Sequence, residues 1–463
     1  MARVAARPLP KVLRFFDVSV LSSASMGPAY SLAATTGPLV AAAGFAAPAA
    51  VAAMALIMLC IAIAYAMLSR VSPNAGSAYS WVRESFGSHA GAYAAWLLLL
   101  SNFFATLATA VPVGLYTLAL VAPAHESDPR WAAVVGAIWI VGSALLLYAG
   151  IRPTATVTLV ALLVELGVLA ASALASLVLP AAPIVRSSHA AVPITLAGVF
   201  AAMTLSVWTV DGWELSAATS EEVRDVRASG RGGVTGLVVT SAIMCLCMLA
   251  YLRIGGVGGL AANQTDALAY VGDRLGGGLW RVALVVTVLA SSLSALWTTI
   301  LYLSRSVYAM GRDGVLSRAM GTLDRHGEPL WALVAIAIVA VLSELVTGFS
   351  PNAAVQLDLV LDCSSLFLGL LFAFSALACV RRFLHERARF GGVLLPLIGA
   401  ALLLAVLGLG VATEAPLLRW YALAGVLAGV IFALWRARRV APEGYEQGLQ
   451  NNRRQRPSGR IDF

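Results

Sequence analysis

Long apolar runs recur along nearly the whole chain and constrain it more than any motif does. A helix crossing the hydrocarbon core of a bilayer needs about 20 mostly apolar residues. Runs of this kind lie at roughly 16–42, 48–69, 91–122, 131–150, 155–180, 193–220, 234–254, 279–304, 330–348, 355–379, 392–411 and 417–436. They predict an all-α polytopic membrane protein of twelve transmembrane helices. A short amphipathic piece at about 77–86 separates the second and third runs, and a polar, structured loop occupies about 258–278. Composition excludes the soluble alternative. Of 463 residues 60% are hydrophobic and only 12% charged, whereas soluble domains carry about 25% charged residues.

The net charge of +8 does not describe a nucleic-acid face. Lys11 is the sole lysine, and the arginines form short clusters between apolar runs. If the N-terminus is cytoplasmic, 25 of the 31 Lys and Arg residues fall on the cytoplasmic side and 6 on the other. That asymmetry is the positive-inside pattern, so both termini are expected in the cytoplasm of a cell-membrane protein. No signal-peptide cleavage pattern precedes the first run. Cys60, Cys245, Cys247, Cys363 and Cys379 all lie inside apolar runs and read as small packing residues, not metal ligands. Residues 437–463 are polar and basic, the composition of a disordered tail.

Two runs are interrupted. The first contains Ser25-Met26-Gly27-Pro28-Ala29-Tyr30, and the sixth contains Trp208-Thr209-Val210-Asp211-Gly212-Trp213-Glu214. Proline removes a backbone donor and glycine permits non-helical backbone. Broken backbone at membrane depth is tolerated only where protein or a water-filled cavity satisfies it. Breaks five helices apart are what an inverted five-plus-five repeat produces.

Four stretches then carry a family resemblance. Ser72-Pro73-Asn74-Ala75-Gly76-Ser77-Ala78-Tyr79-Ser80-Trp81-Val82 is similar to a segment following the second span. Trp208 to Val223 is similar to a sixth-span pattern of glycine, aromatic and acid. Ser304-Arg305-Ser306-Val307-Tyr308-Ala309-Met310-Gly311-Arg312-Asp313-Gly314 resembles the ending of the eighth span, and Gly327-Glu328-Pro329 resembles the entry to the ninth. Together they resemble the amino acid–polyamine–organocation superfamily of transporters. The resemblance implies the LeuT-type fold, with repeats at 15–180 and 193–379 and two further helices in 392–436, after a cytoplasmic segment at 1–14. It implies substrate contacts at Ser25, Met26, Gly27, Pro28, Ala29, Tyr30, Ser101, Asn102, Thr106, Trp208, Thr209, Asp211, Gly212, Trp213 and Glu214. In this superfamily the first-span loop is glycine-rich and its amides hold a carboxylate; Pro28 supplies none. Glu165 stands about where several relatives have a lysine.

Charges at membrane depth are costly and mark function. Glu214 and Glu165 are therefore the expected ion-coupling residues, with protons as the coupling ion. Asp211 favours an ammonium or guanidinium group. Asp358 and Asp362 share a helix face suited to an outer vestibule, and Glu221, Glu222, Arg224, Asp225 and Arg227 form a cytoplasmic cluster. Glu344 is expected to face the surface.

No His/Cys/Asp cluster has ligand spacing, and all five histidines map to loops or span ends, so neither enzyme, cofactor nor metal is expected. The absence of a phosphate-cradling loop disfavours ATP-driven transport. The expected function is secondary active transport of amino acids, with polyamines or other organic amines as the second substrate class. A channel or solute receptor ranks below these.

Overall fold

A computed structural model describes residues 8–125, 128–180, 194–350, 353–386, 388–413 and 416–437. The tail beyond 437 and the side chain of Asp358 lie outside them. All regular structure among these residues is helical.

The first apolar run forms α1 (Phe15–Ser25) and α2 (Pro28–Ala43), divided at Met26-Gly27. Pro28 opens α2 at a position where its missing N–H costs nothing. α3 (Ala47–Val71) and the amphipathic α4 (Ser77–Phe86) follow, then α5 (Ser88–Val121), α6 (Pro129–Tyr148) and α7 (Ile151–Val178). The sixth run forms α8 (Leu196–Thr209) and the single turn α9 (Leu215–Ala218), divided by Val210 to Glu214. α10 (Val226–Gly255) leads into the polar loop, which folds as α11 (Val257–Ala262) and α12 (Ala267–Arg274). The remaining helices are α13 (Leu279–Arg312), α14 (Leu330–Thr347), α15 (Ala353–Phe383), α16 (Leu395–Thr413) and α17 (Pro416–Ala437). Among the described residues nine helical stretches are long and apolar enough to cross a membrane. This is a multi-pass membrane protein.

Lipid tails are as apolar as leucine, so burial alone does not join such helices; close approach of small residues does. α10 packs on α3 where Gly230 lies against the backbone of Ala66, and α5 packs on α6 where Gly114 meets the carbonyl of Ala132. A Cβ on Gly114 would lie 2.1 Å from that oxygen. Large apolar residues remain exposed on the outer faces, among them Ile138, Leu145, Leu163, Leu174, Ile338 and Leu342. This is the pattern of a lipid-facing belt.

One expectation is corrected here. Glu344 is fully buried, not surface-facing. Gly136 on α6 makes the room: a Cβ there would sit 2.5 Å from Glu344 Oε1. Neither carboxylate oxygen has a hydrogen-bond partner among the described residues.

The chain ahead of α1 is strapped across one end of the bundle. Leu9 is buried against Ala75, Tyr308 and Ala309. The N–H groups of Val12 and Leu13 donate to the Glu222 carbonyl at 2.8 and 3.0 Å, and Arg224 N–H donates to the Leu13 carbonyl at 2.9 Å.

Candidate functional site

The two helix breaks touch. Gly27 adopts φ +52° at the head of α2, and Gly212 adopts φ +98° in the second break. A Cβ on Gly212 would come within 2.6 Å of the carbonyl carbon and oxygen of Ser25. Only glycine allows both that backbone angle and that approach.

A cavity opens beside this crossing, walled by α1, α2, α5, the second break, α13 and α15. Ser25, Met26, Tyr30, Ser101, Asn102, Trp208, Asp211, Gly212 and Glu214 line it, nine of the residues singled out by sequence. Its volume is about 30 Å³, room for about two waters. No basic side chain is among its lining residues. Two carboxylates on one wall, without a cation among them, suit a positively charged group.

Glu214 has a structural duty as well. Its Oε2 accepts the Gly212 N–H at 2.8 Å, so the acid caps a donor freed by its own break. Tyr30 passes its hydroxyl to the Ala108 carbonyl. That acceptor is free because Pro112, four residues on within α5, has no N–H to give it. Trp208, on the cavity wall, is 5% exposed, and its Nε1 has no hydrogen-bond partner among the described residues.

Other expected residues lie elsewhere. Thr106 donates to the Asn102 carbonyl at 2.7 Å and lines a separate apolar cavity between α5, α13 and α14. Thr209 bonds Thr35, at 3.2 Å. Trp213 is fully buried, stacked on Phe372 and edge-on to Tyr65. Gly27, Pro28 and Ala29 shape the break without lining the cavity. Glu165 lies behind it, its Oε1 accepting from Ala29 N–H at 2.7 Å and Ser291 Oγ at 2.6 Å.

Sequence reasoning missed Ser31, Thr109, Thr299, Tyr302 and Ser364 on the wall. Ser364 was within reach, since Cys363-Ser364-Ser365 directly follows the flagged Asp362. Thr299 and Tyr302 share a stripe with Ala295, three and four residues apart on α13, which a helical-face search would have found.

On the side where the strap lies, the resembling motifs converge. Arg305 donates to both oxygens of Glu222, at 3.1 and 3.0 Å, and pairs with Glu328 at 2.8 Å. Arg312 pairs with Glu221, which also accepts the Ala75 N–H at 2.9 Å. Arg83 pairs with Asp313 at 2.6 Å. The segment ahead of α4 with α4 itself, the end of α13 and the entry to α14 thus join the linker after α9 in one ionic cluster.

The amino acid permease family, described as "Amino acid permease", matches residues 13–430. The chain belongs to the amino acid permease family. The permease is 26% identical to the branched-chain amino acid permease BcaP of Lactococcus lactis over 315 residues, which cover 62% of this chain and 65% of that protein. It is 29% identical over 426 residues to a protein of Mycobacterium tuberculosis named as an uncharacterized transporter, covering 88% of this chain and 92% of that one. A Mycobacterium bovis protein of the same description matches to the same extent. Family and relatives together support a transporter.

Proposed function

We propose that the permease is a secondary active transporter that carries amino acids across the cell membrane by alternating access, coupled to protons. The reading takes twelve spans, an inverted five-plus-five repeat with α1/α2 and α8/α9 as its broken helices, and both termini in the cytoplasm. One observation carries it: a small cavity bounded by both breaks presents Asp211 and Glu214 and no opposing cation. An α-ammonium group supplies that charge. A cavity of about 30 Å³ takes an amino acid only when its walls part, and the ionic cluster across one end is what must open for release to that side.

The name of the Lactococcus relative suggests branched-chain amino acids as first probes. A second reading, organic amines, is favoured by one feature: the first free amides of α2 are already occupied, by Glu165 and Ser291.

The test is thermal stabilisation of the purified permease by amino acids and their decarboxylated amines, followed by uptake into proteoliposomes. A ligand at 100 times its dissociation constant adds about 2.7 kcal/mol. Stabilisation by amines alone would reject the amino acid reading. Uptake that neither saturates nor responds to a proton gradient would reject a coupled carrier in favour of a channel. Glu214→Gln removes a charged acceptor, a loss of about 1.5–3 kcal/mol. Substrate affinity is expected to fall roughly 10- to 100-fold by the same thermal-shift titration, and an unchanged affinity would take Glu214 out of recognition.

A further inference from the structure

The N-terminus of the second half-helix is closed from within the protein. The first N–H groups of a helix lack intrahelical partners and, with the helix dipole, favour an anion. α2 runs for 16 residues and begins at Pro28, which has no N–H. The next two amides are both occupied: Ala29 N–H donates to Glu165 Oε1 at 2.7 Å, and Tyr30 N–H to Ser291 Oγ at 3.1 Å. Ser291 passes its own hydroxyl to the same Glu165 oxygen.

Glu165 therefore stands where a bound carboxylate would stand, and it is incompletely satisfied there. Its side chain is fully buried, and Oε2 has no hydrogen-bond partner among the described residues. Leaving a buried polar atom unpaired is expensive, so this occupancy is a weak one for so buried a group. The site also adjoins the cavity, because Met26 and Tyr30 on either side of Ala29 line its wall.

α7 packs against α1, α2, α6, α10 and α13. The titratable and charged groups those helices bring wholly or partly inside are Asp17, Tyr30, Tyr148, Cys245, Cys247, Tyr251, Tyr302, Arg305 and Tyr308. Among the described residues none of them bonds Glu165. Tyr251 is bonded to Ser172, Tyr302 to Ser77, and Arg305 to Glu222 and Glu328. The one cation among them, Arg305, is already held by two carboxylates.

We infer that Glu165 is an internal competitor for the substrate's carboxylate: a carboxylate docks on the Ala29 amide and the Ser291 hydroxyl only by expelling Glu165, which then takes up a proton from solution. The inference rests on the amino acid reading above. The balance is simple. The ligand's negative charge replaces that of Glu165 at the helix terminus, and one proton neutralises the expelled group. A decarboxylated amine leaves Glu165 where it is. One side chain thereby links substrate class to proton count.

The experiment uses the full-length permease in lipid nanodiscs, titrated in weak buffer with leucine and with 3-methylbutylamine. Binding is read by thermal shift and proton uptake by an indicator dye. Because both ligands bring an ammonium group, their difference isolates the carboxylate. Leucine is expected to take up about one proton more per site than the amine, and its affinity to fall about tenfold per pH unit relative to the amine's as pH rises. Glu165→Gln should abolish that difference while leucine still binds. Equal proton counts for the two ligands, or a difference that persists in Glu165→Gln, would overturn the inference and leave the amino acid reading standing. Binding by the amine alone would overturn both. Should Glu165→Gln fail to fold, the pH dependence of wild-type leucine affinity relative to the amine's decides: a tenfold slope per unit supports the inference, a flat one rejects it.

Discussion

Arg305→Ala is expected to destabilise the permease by about 3–5 kcal/mol, the cost of removing one partner from a buried ionic cluster. Arg305 is 1% exposed, and Glu222 and Glu328 are 0% and 3% exposed. Without the guanidinium two carboxylates face each other away from water, and neither has another charged partner among the salt bridges of the described residues. The loss follows from stranding those charges, not from any large net worth of the cluster. A variant that neutralises all three positions, Arg305→Met with Glu222→Gln and Glu328→Gln, should therefore recover much of the loss. Detergent-solubilised unfolding of both variants against wild type is the measurement. If the single variant is as stable as wild type, the cluster contributes nothing. If the triple is no better than the single, stranded charge is the wrong explanation.

The second large effect is expected at the crossing of the breaks. Gly212→Ala faces two penalties: a left-handed backbone angle, costing about 1–2 kcal/mol for a residue with a Cβ, and overpacking against backbone, typically about 1–3 kcal/mol. The obstructing atoms are the Ser25 carbonyl and the Met26 nitrogen, which have no rotamer to change. Either α1 and the second break move apart or the substitution fails to fold. Gly87→Ala is the control, because Gly87 has φ +91° with nothing within 4 Å of its missing Cβ. Gly212→Ala is expected to lose uptake and markedly more stability than Gly87→Ala. Equal effects would mean that the crossing tolerates separation, and that backbone angle alone matters at both sites.

Helices and their interruptions were legible because local chemistry decides them. Hydropathy marked the apolar runs, and 77–86 emerged as α4 at the same bounds. Pro28 and Gly212 stop helices through their own backbone limits, so both breaks lie where the residues put them. Side-chain direction was harder. Ser101 and Asn102 reach the cavity, whereas Thr106, five residues beyond Ser101, is rotated by roughly 140° at 3.6 residues per turn and faces another space. Ala105 and Thr109, four and eight residues on, continue the lining stripe. Glu344 was misread for a different reason. Whether an acid on an apolar helix is covered depends on its neighbour's size, and the room for it comes from Gly136, more than two hundred positions earlier. The occupancy of the Ala29 amide by Glu165 was invisible for the same cause, since it joins residues 136 apart in sequence.

The strap ahead of α1 also bears on how such a bundle moves. Its three backbone hydrogen bonds and the buried Leu9 fasten residues 9–13 simultaneously to the linker after α9 and to the end of α13. Contacts strung along one short peptide cannot be surrendered singly without straining the rest, so release should be an all-or-none event with a threshold and not a graded loosening. On the proposed transport reading, the timing of opening would then be set by a segment that does not line the cavity.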